Sequence, residues 1–271
     1  MLKEKKGMSV ETRKTIIHPT AIVHPTAELG SGVSIGPYSI IETNVSIGDG
    51  TKVGARVTIE GNTLIGRDNE IFTGAIIGSV TQDKKYDGGM SYLKIGDRNK
   101  IREYVTINPG TGDGTETVIG DDNLIMAYAH IAHDCVIENH VIIANAGTLA
   151  GHVTIEDRAI VGGLCGVHQF VRIGHLAIVG GNSKVVQDIP PFMMVDGHPA
   201  KAYGLNSVGL ERAEVPKSER MMLKRAFKIL FRSGLSIKTI VERLTELSHE
   251  GSDSVLRIIE FIEKSDRSIC S

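Results

Sequence analysis

The sequence predicts a mainly β protein, in which a parallel β-helix of six-residue repeats is followed by a helical domain. An aliphatic residue recurs at every sixth position from Ile17 to Val185, with two interruptions. Glycine is abundant, at 31 of 271 residues, whereas aromatic residues make up only 4% of the chain. An amphipathic helix needs apolar spacings of three and four, so a period of six favours short strands joined by tight corners.

Residues 1–15 precede the repeat and are predicted to form a flexible N-terminal extension. They lack the apolar stretch of a secretory signal, and the chain has no apolar run of about 18 residues that would span a membrane. The 30 basic and 32 acidic residues give a net charge of -2, which offers no argument for a nucleic-acid partner. The three cysteines lack metal-binding spacing, so we expect reduced thiols in a cytoplasmic protein.

Residues 16–190 are predicted to form the β-helix. In each repeat the aliphatic position and the position four residues later are expected to face inward, with strands of successive coils stacked about 4.8 Å apart. Residues 78–94 and 108–118 interrupt the pattern and are rich in Gly and Asp, so we expect two projecting loops. The usual crossover rule favours a right-handed coil, and the pattern alone leaves the handedness open.

Residues 191–271 are predicted to form a C-terminal helical domain after the Pro190-Pro191 pair ends the repeat. Pro216 opens a first helix, Ser236 can cap a second, and an apolar pattern over 253–264 indicates a third. The first helix carries a basic stripe, which is either a solvated face or a docking face for an acidic carrier protein. The stripe consists of Arg220, Lys224, Lys228 and Arg232.

The six-residue repeat resembles that of hexapeptide acyltransferases, in which three strands and 18 residues complete each left-handed coil. With that spacing, His133, Gly151 and Gln169 align in one column at a corner, and Asp134 neighbours His152. A neutral imidazole accepts a proton at neutral pH, and an adjacent carboxylate fixes its tautomer. We therefore predict that His133 is a general base oriented by Asp134.

Gly151 is predicted to leave space beside His133 for a substrate carbonyl, and its N–H to face the developing oxyanion. The column holds no Ser or Cys nucleophile, which favours direct transfer over a covalent intermediate. The competing interpretation is a zinc site, since four histidines could supply three imidazoles, as in hexapeptide carbonic anhydrases. Those histidines are His130, His133, His152 and His168.

From about residue 16 onward the sequence resembles the bacterial UDP-N-acetylglucosamine 3-O-acyltransferases. The motifs that carry the resemblance are IGPYSII, IGRDNEIF, IGDRNKIRE, TINPGT, AHIAHDC, LAGHVTI, VHQF, QDIPP and GLNSVGL. The resemblance implies transfer of an (R)-3-hydroxyacyl chain from acyl carrier protein to the 3-hydroxyl of UDP-N-acetylglucosamine, the first step of lipid A biosynthesis. It also implies a homotrimer with sites between subunits, with no metal and no cofactor beyond the thioester donor.

Carried onto this chain, the resemblance makes His133 the base, Asp134 its partner and Gly151 the oxyanion donor. Further residues are expected to contact the sugar, the acyl chain or the nucleotide. These are Gln82, Asp83, Lys85, His130, His152, His168, Gln169, Asn206 and Arg212.

Two positions depart from the family pattern. Val208 and Ala213 stand where better-known members have a Glu and a second Arg near the nucleotide. Some relatives acylate a 3-amino sugar instead of a hydroxyl, and no residue decides between the two acceptors.

Overall fold

The computed structural model describes residues 14–270 of the chain. The extension predicted for residues 1–15 therefore lies outside the described residues, apart from Lys14 and Thr15. The predicted fold class is confirmed: a left-handed parallel β-helix is followed by α-helices.

Three parallel sheets form the faces of the β-helix, and each coil contributes one short strand to each sheet. The coil strands of the first sheet are Ile16–Ile17, Ser34–Ile35, Lys52–Val53, Glu70–Ile71, Lys100–Ile101, Leu124–Ile125, Ile142–Ile143, Ile160–Val161 and Ile178–Val179. The second sheet contains Ile22–Val23, Ile40–Ile41, Thr58–Ile59, Ile76–Ile77, Thr106–Ile107, His130–Ile131, Thr148–Leu149, Gly166–Val167 and Lys184–Val185. The third sheet contains Glu28–Leu29, Val45–Ile47, Asn62–Ile65, Tyr92–Ile95, Glu116–Ile119, Val136–Ile137, Thr154–Ile155 and Arg172–Ile173.

The coils stack in register, so equivalent residues of uninterrupted coils lie 18 positions apart. Ile142 pairs with Ile160 in the first sheet, and Thr148 pairs with Gly166 in the second. Because every strand bonds to the coil above and the coil below, the backbone of such short strands is satisfied without long sheets. The aliphatic member of each repeat, such as Ile131 or Ile155, is fully buried.

The inward position four residues later is not always apolar. Asn69, Asn99 and Asn123 form a buried ladder in which each side-chain oxygen accepts the backbone N–H of the next coil, at 2.8, 2.9 and 2.7 Å. These hydrogen bonds satisfy backbone donors at one corner and compensate for burying the three amide oxygens.

The two predicted loops both leave the β-helix after a strand of the second sheet and return in the third sheet. They are shorter than predicted, because two strands of the third sheet begin before the aliphatic repeat positions Ile95 and Ile119. These strands, Tyr92–Ile95 and Glu116–Ile119, pair with each other along their whole length. We call residues 78–91 the first loop and residues 108–115 the second loop. Backbone bonds join them: Gly114 N–H donates to the Met90 carbonyl at 2.7 Å, and Met90 N–H donates to Asp113 at 3.0 Å.

A β-hairpin that the sequence did not predict precedes the C-terminal helices. Strand Met193–Gly197 continues the first sheet beside Ile178–Val179, and Ala200–Leu205 pairs with it in antiparallel orientation. The hairpin has no six-residue period, but buried and exposed residues alternate along Met193–Gly197, as expected for a strand.

Four helices follow the hairpin in the described part of the chain: α1 (Ser207–Arg212), α2 (Lys217–Arg232), α3 (Ile237–Ser248) and α4 (Asp253–Glu263). Ser236 caps α3 by accepting the N–H of Thr239, and Ser252 caps α4 in the same way. Helices α2, α3 and α4 pack together through buried residues such as Leu223, Leu244 and Ile258. Among residues 14–270, no helix is long and apolar enough to cross a bilayer.

Candidate active site

The candidate site lies at the corner between the second and third sheets, in the coils from residue 130 to residue 170. Asp134, His152 and Phe170 occupy equivalent corner positions, and each has a left-handed φ between 58° and 65°. That conformation turns the chain through the corner and lets neighbouring side chains both point outward. Both loops insert at this same corner in earlier coils, so they border the site.

His133 is the central group of the corner. Its side chain is 13% exposed, and its Nδ1 lies 2.8 Å from Oδ2 of Asp134. The glycine one coil away, Gly151, is buried directly against this imidazole: a Cβ built on Gly151 would collide with Cε1 and Nε2 of His133. The absence of a side chain at position 151 is therefore what allows the imidazole to lie flat against the next coil. The prediction that Gly151 leaves space for a substrate carbonyl is wrong, because the ring of His133 fills that space itself.

Asp134 is held by the second loop as well as by His133. Thr111 N–H donates to Oδ2 of Asp134 at 3.2 Å, the same oxygen that contacts His133. Burial on its own would raise the pKa of Asp134. Hydrogen bonds from His133, Thr115 and Thr111 and the nearby His152 outweigh burial, so the pKa lies below its ordinary value. The carboxylate is therefore ionised at neutral pH.

The first loop brings a second carboxylate to the opposite side of the imidazole. Oδ2 of Asp83 lies 3.5 Å from Nε2 of His133. The other oxygen of Asp83 accepts the N–H of Lys85 at 3.0 Å, which orients the carboxylate. Gln82 and Lys85 are exposed beside it, so the structure places all three predicted loop residues at this corner and brings Asp83 to the base.

His152 and Phe170 continue the corner column below Asp134. The His152 ring meets the His133 ring edge-on at 5.1 Å and stacks on Phe170 at 4.5 Å with 6° between the planes. Nε2 of His152 lies 3.7 Å from Oδ2 of Asp134. Phe170 thus fixes the plane of an imidazole that the sequence analysis assigned to the substrate cleft.

The other predicted cleft residues lie around this group. His130 projects from the outer face of the second sheet, and its Nδ1 lies 2.7 Å from the hydroxyl of Thr106. Burial, and secondarily the charge of His133, lowers the pKa of His130, so this imidazole is neutral at neutral pH. His168 and Gln169 are both exposed at the corner one coil below Gly151.

The two predicted nucleotide contacts, Asn206 and Arg212, lie at the two ends of α1, in the C-terminal part of the chain. Asn206 is 5% exposed. Its side-chain oxygen caps α1 through Gly209 N–H at 2.9 Å, and its amide donates to the Leu176 carbonyl at 2.9 Å. The structure therefore gives Asn206 a structural role within the chain, which the sequence analysis missed. Arg212 is exposed in the last turn of α1.

Sequence reasoning also missed Thr111 and Phe170. The contact of Thr111 is made by its backbone N–H, so no residue type at position 111 signals it. Phe170 was detectable, because it lies 18 residues after His152 in the same column.

Within residues 14–270, the group that could hold a metal ion comprises His133, Asp134 and His152, with ligand atoms within 4.8 Å of one another. His130 and His168 lie outside it. The structure therefore does not gather three imidazoles from the four histidines considered in the sequence analysis.

Comparison with family models finds two matches. Residues 188–270 match the model described as UDP-N-acetylglucosamine O-acyltransferase, domain 2, and residues 116–151 match the bacterial transferase hexapeptide model of six repeats. The first match covers the hairpin and the four helices, which have no repeat of their own.

Curated relatives and solved structures match nearly the whole chain. The acyl-(acyl-carrier-protein)–UDP-N-acetylglucosamine O-acyltransferase of Janthinobacterium sp. (strain Marseille) is 52% identical over 94% of this chain and 99% of its own length. The relative of the same name from Thiobacillus denitrificans is 51% identical over 93% of this chain and 98% of its own length.

The solved UDP-N-acetylglucosamine acyltransferase of Francisella novicida superposes with a TM-score of 0.91 at 38% identity, covering 94% of each chain. The one from Campylobacter jejuni gives a TM-score of 0.87 at 41% identity, covering 94% of this chain and 98% of its own. With the same fold along almost its full length and 52% identity to a curated member over 94% of its residues, the chain belongs to the UDP-N-acetylglucosamine O-acyltransferase family.

Proposed function

We propose that the chain transfers an (R)-3-hydroxyacyl group from acyl carrier protein to the 3-hydroxyl of UDP-N-acetylglucosamine, a step of lipid A biosynthesis, with His133 as general base. Acyl transfer between these two substrates follows from family membership. The assignment of the base rests on one observation: the imidazole of His133 is bonded through Nδ1 to an ionised Asp134 and packs against Gly151 in the next coil.

The hydrogen bond to Asp134 sets the tautomer of the base. Nδ1–H of His133 donates to Asp134, so the lone pair of Nε2 faces the cleft beside Asp83. Nε2 takes the proton of the sugar hydroxyl as its oxygen attacks the thioester carbonyl carbon. A C–O bond forms and the carbonyl oxygen becomes an oxyanion.

Gly151 is suited to stabilise that oxyanion. Among the described residues, no hydrogen bond occupies the N–H of Gly151, so this donor is available to a carbonyl oxygen beside His133. When the intermediate collapses, the C–S bond breaks and the carrier thiolate takes the proton from Nε2 of His133. The base is then neutral again, and the products are the ester and a free thiol.

Covalent catalysis by cysteine is disfavoured at this site. Cys135 follows Asp134, but its side chain points into the core, and burial raises the pKa of its thiol to about 12. A thiol with that pKa is not a nucleophile at neutral pH. Direct attack by the sugar hydroxyl is the step that remains.

We further propose the homotrimer that the resemblance implies. The outer face of the first sheet is apolar over successive coils at Ile142, Ile160 and Ile178. Exposed Tyr104 and Tyr128 stack at 5.2 Å along the adjoining corner, and Leu164, at the same corner, is 69% exposed. Surfaces of this kind are typical of subunit interfaces. Light scattering should give a mass three times that of the 29.2 kDa chain; a monomer mass would contradict the proposal.

Acyl carrier protein is proposed to dock on α2. Lys224, Lys228 and Arg232 border a groove of about 380 Å³ whose floor includes Leu205 and Phe227. A cationic rim around an apolar floor suits an acidic protein that presents an acyl chain. A cytoplasmic location is likewise proposed, supported by three free, buried thiols.

The proposed function is tested by supplying a panel of (R)-3-hydroxyacyl carrier proteins together with either the 3-hydroxyl or the 3-amino form of the UDP-sugar. We expect an ester product whose mass identifies the preferred chain length. An amide formed faster than the ester would move the acceptor to the amino sugar. His133→Ala should lower kcat by at least about 100-fold; near-normal turnover would refute the role of this base.

A further inference from the structure

We propose that His133, Asp134 and His152 also form a binding site for a divalent transition-metal ion of the zinc class, and that an ion bound there switches the enzyme off. The donor set is two imidazoles and one carboxylate, which suits zinc. Metal binding stands on the geometry alone, whereas the switching-off rests on the proposed function.

The distances fit one ion held by three ligand atoms. Oδ2 of Asp134 lies 2.8 Å from Nδ1 of His133 and 3.7 Å from Nε2 of His152. Two ligand atoms on a tetrahedral zinc ion with bonds of 2.0–2.1 Å lie about 3.3 Å apart. The two distances bracket that value, and all three ligand atoms lie within 4.8 Å of one another, so rotations of the side chains can bring them onto one ion. His152 is 41% exposed and provides the route of entry from solvent.

Each ligand is already held by a second contact, as is typical of metal-binding side chains. The ring of His133 packs against Gly151, and Oδ2 of Asp83 lies 3.5 Å from Nε2, where it can accept a hydrogen bond once Nε2 carries the proton. Phe170 stacks on His152 and fixes its ring plane. Thr111 N–H donates to Asp134. The three ligands are therefore oriented in the absence of any ion.

An ion at Nδ1 changes the tautomer of His133. In the catalytic form Nδ1 carries the proton and Nε2 accepts one. When the metal takes the lone pair of Nδ1, the neutral imidazole must carry its proton on Nε2, where it points at Asp83. The proton moves from one ring nitrogen to the other through solvent and the net proton count is unchanged. Nε2 then has no lone pair for the sugar hydroxyl, so transfer stops.

Metal binding can be measured without the reaction. Chelator-treated full-length protein is titrated with Co²⁺, whose visible absorbance reports coordination by imidazole and carboxylate, and Zn²⁺ is then added to displace it. We expect one ion per chain. His152→Asn should weaken binding by at least the roughly 10- to 100-fold that loss of a supporting contact already costs. Asn is chosen because it tolerates the left-handed φ of 60° at position 152.

His140→Asn is the matched control, because His140 has a φ of 55° at the corner between the third and first sheets, outside the metal-capable group. It should bind the ion as the unmodified protein does. Three results would overturn the site. The first is equal binding of the ion by His152→Asn and the unmodified protein, and the second is no binding at ion concentrations below about 1 mM. The third is that His140→Asn weakens binding as much as His152→Asn does.

In parallel, acyl transfer by chelator-treated protein is measured with and without Zn²⁺. We expect inhibition at the concentration that displaces Co²⁺ and recovery on adding chelator. Full activity with the ion bound would overturn the switch. Inactivity of the chelator-treated protein would instead contradict the proposed function and leave the binding result standing.

Discussion

Gly151→Ala tests the packing of the base more sharply than removing the base does. A Cβ at position 151 would lie 3.0 Å from Nδ1 of His133 and closer still to Cε1 and Nε2. Real Cβ atoms are not found at such distances, so the imidazole must swing away. Its rotation breaks the 2.8 Å contact between Nδ1 and Asp134 and turns Nε2 away from the position in which it faces the cleft.

The expected loss can be derived from those two effects. General-base catalysis contributes about 10²- to 10⁴-fold, so a displaced base should cost at least about 100-fold in kcat/KM, or roughly 2.7 kcal/mol in activation free energy. The fold should survive, since overpacking costs about 1–3 kcal/mol and position 151 does not have a positive φ that would strain alanine.

The assay is steady-state acyl transfer, with thermal denaturation to show that the variant is folded. Gly166→Ala is the matched control, because Gly166 lies in the next coil and a Cβ there meets nothing within 4 Å. The control should stay within about threefold of the unmodified enzyme, as surface substitutions usually do. A folded Gly151→Ala enzyme with normal turnover would refute the geometry, and so would an equal loss in Gly166→Ala.

Three further predictions concern the carrier, acid stability and the core. Replacing Lys224 and Lys228 by Glu should raise the KM for acyl carrier protein and leave binding of the UDP-sugar unchanged by calorimetry; an unchanged KM would make the stripe a solvated face. Burial, and secondarily Arg257, lowers the pKa of His175 to about 4. In the unfolded chain His175 has its ordinary pKa of about 6.5. The neutral imidazole of His175 therefore contributes its full stability above about pH 6.5, and this contribution, up to about 3 kcal/mol, is lost as the pH falls toward 4. Denaturation midpoints from pH 7.5 to 4.5 should therefore fall less steeply in His175→Gln than in the unmodified protein, and parallel curves would contradict this. Ile155→Ala should lower the free energy of unfolding by about 2–5 kcal/mol in urea denaturation, because Ile155 is fully buried; a loss below 1 kcal/mol would contradict the close packing of the ladder.

The repeat made the β-helix predictable, because one aliphatic residue every six positions determines both where each strand lies and which side faces the core. The same periodicity placed Gly151 beside His133 and Asp134 beside His152, since residues 18 apart stack in neighbouring coils. Periodicity also explains why the predicted ends of the two loops were wrong. Tyr92–Ile95 and Glu116–Ile119 pair with each other over more residues than the repeat requires, so the pattern did not mark where the loops end.

Interactions that depend on backbone atoms or on non-repeating segments were not predictable in this way. The N–H of Thr111 reaches Asp134 because the second loop folds back over the corner. The second loop is in turn bonded to the first loop, through Gly114 N–H and the Met90 carbonyl. The predicted nucleotide contact at Asn206 followed the family motif, whereas the structure shows its amide engaged in capping α1 and in bonding Leu176. Motif position located the residue but not the direction of its side chain.

The common corner from which both loops arise has an evolutionary consequence. Each loop leaves the second sheet and rejoins the third, so the coils above and below keep their pairing whatever the length of the loop. A single-residue deletion inside a repeat would instead turn every later aliphatic side chain out of the core. New loops can therefore be grafted at this corner while the stacked scaffold stays unchanged. Differences in substrate range between related proteins are therefore expected to arise from replacement of these loops.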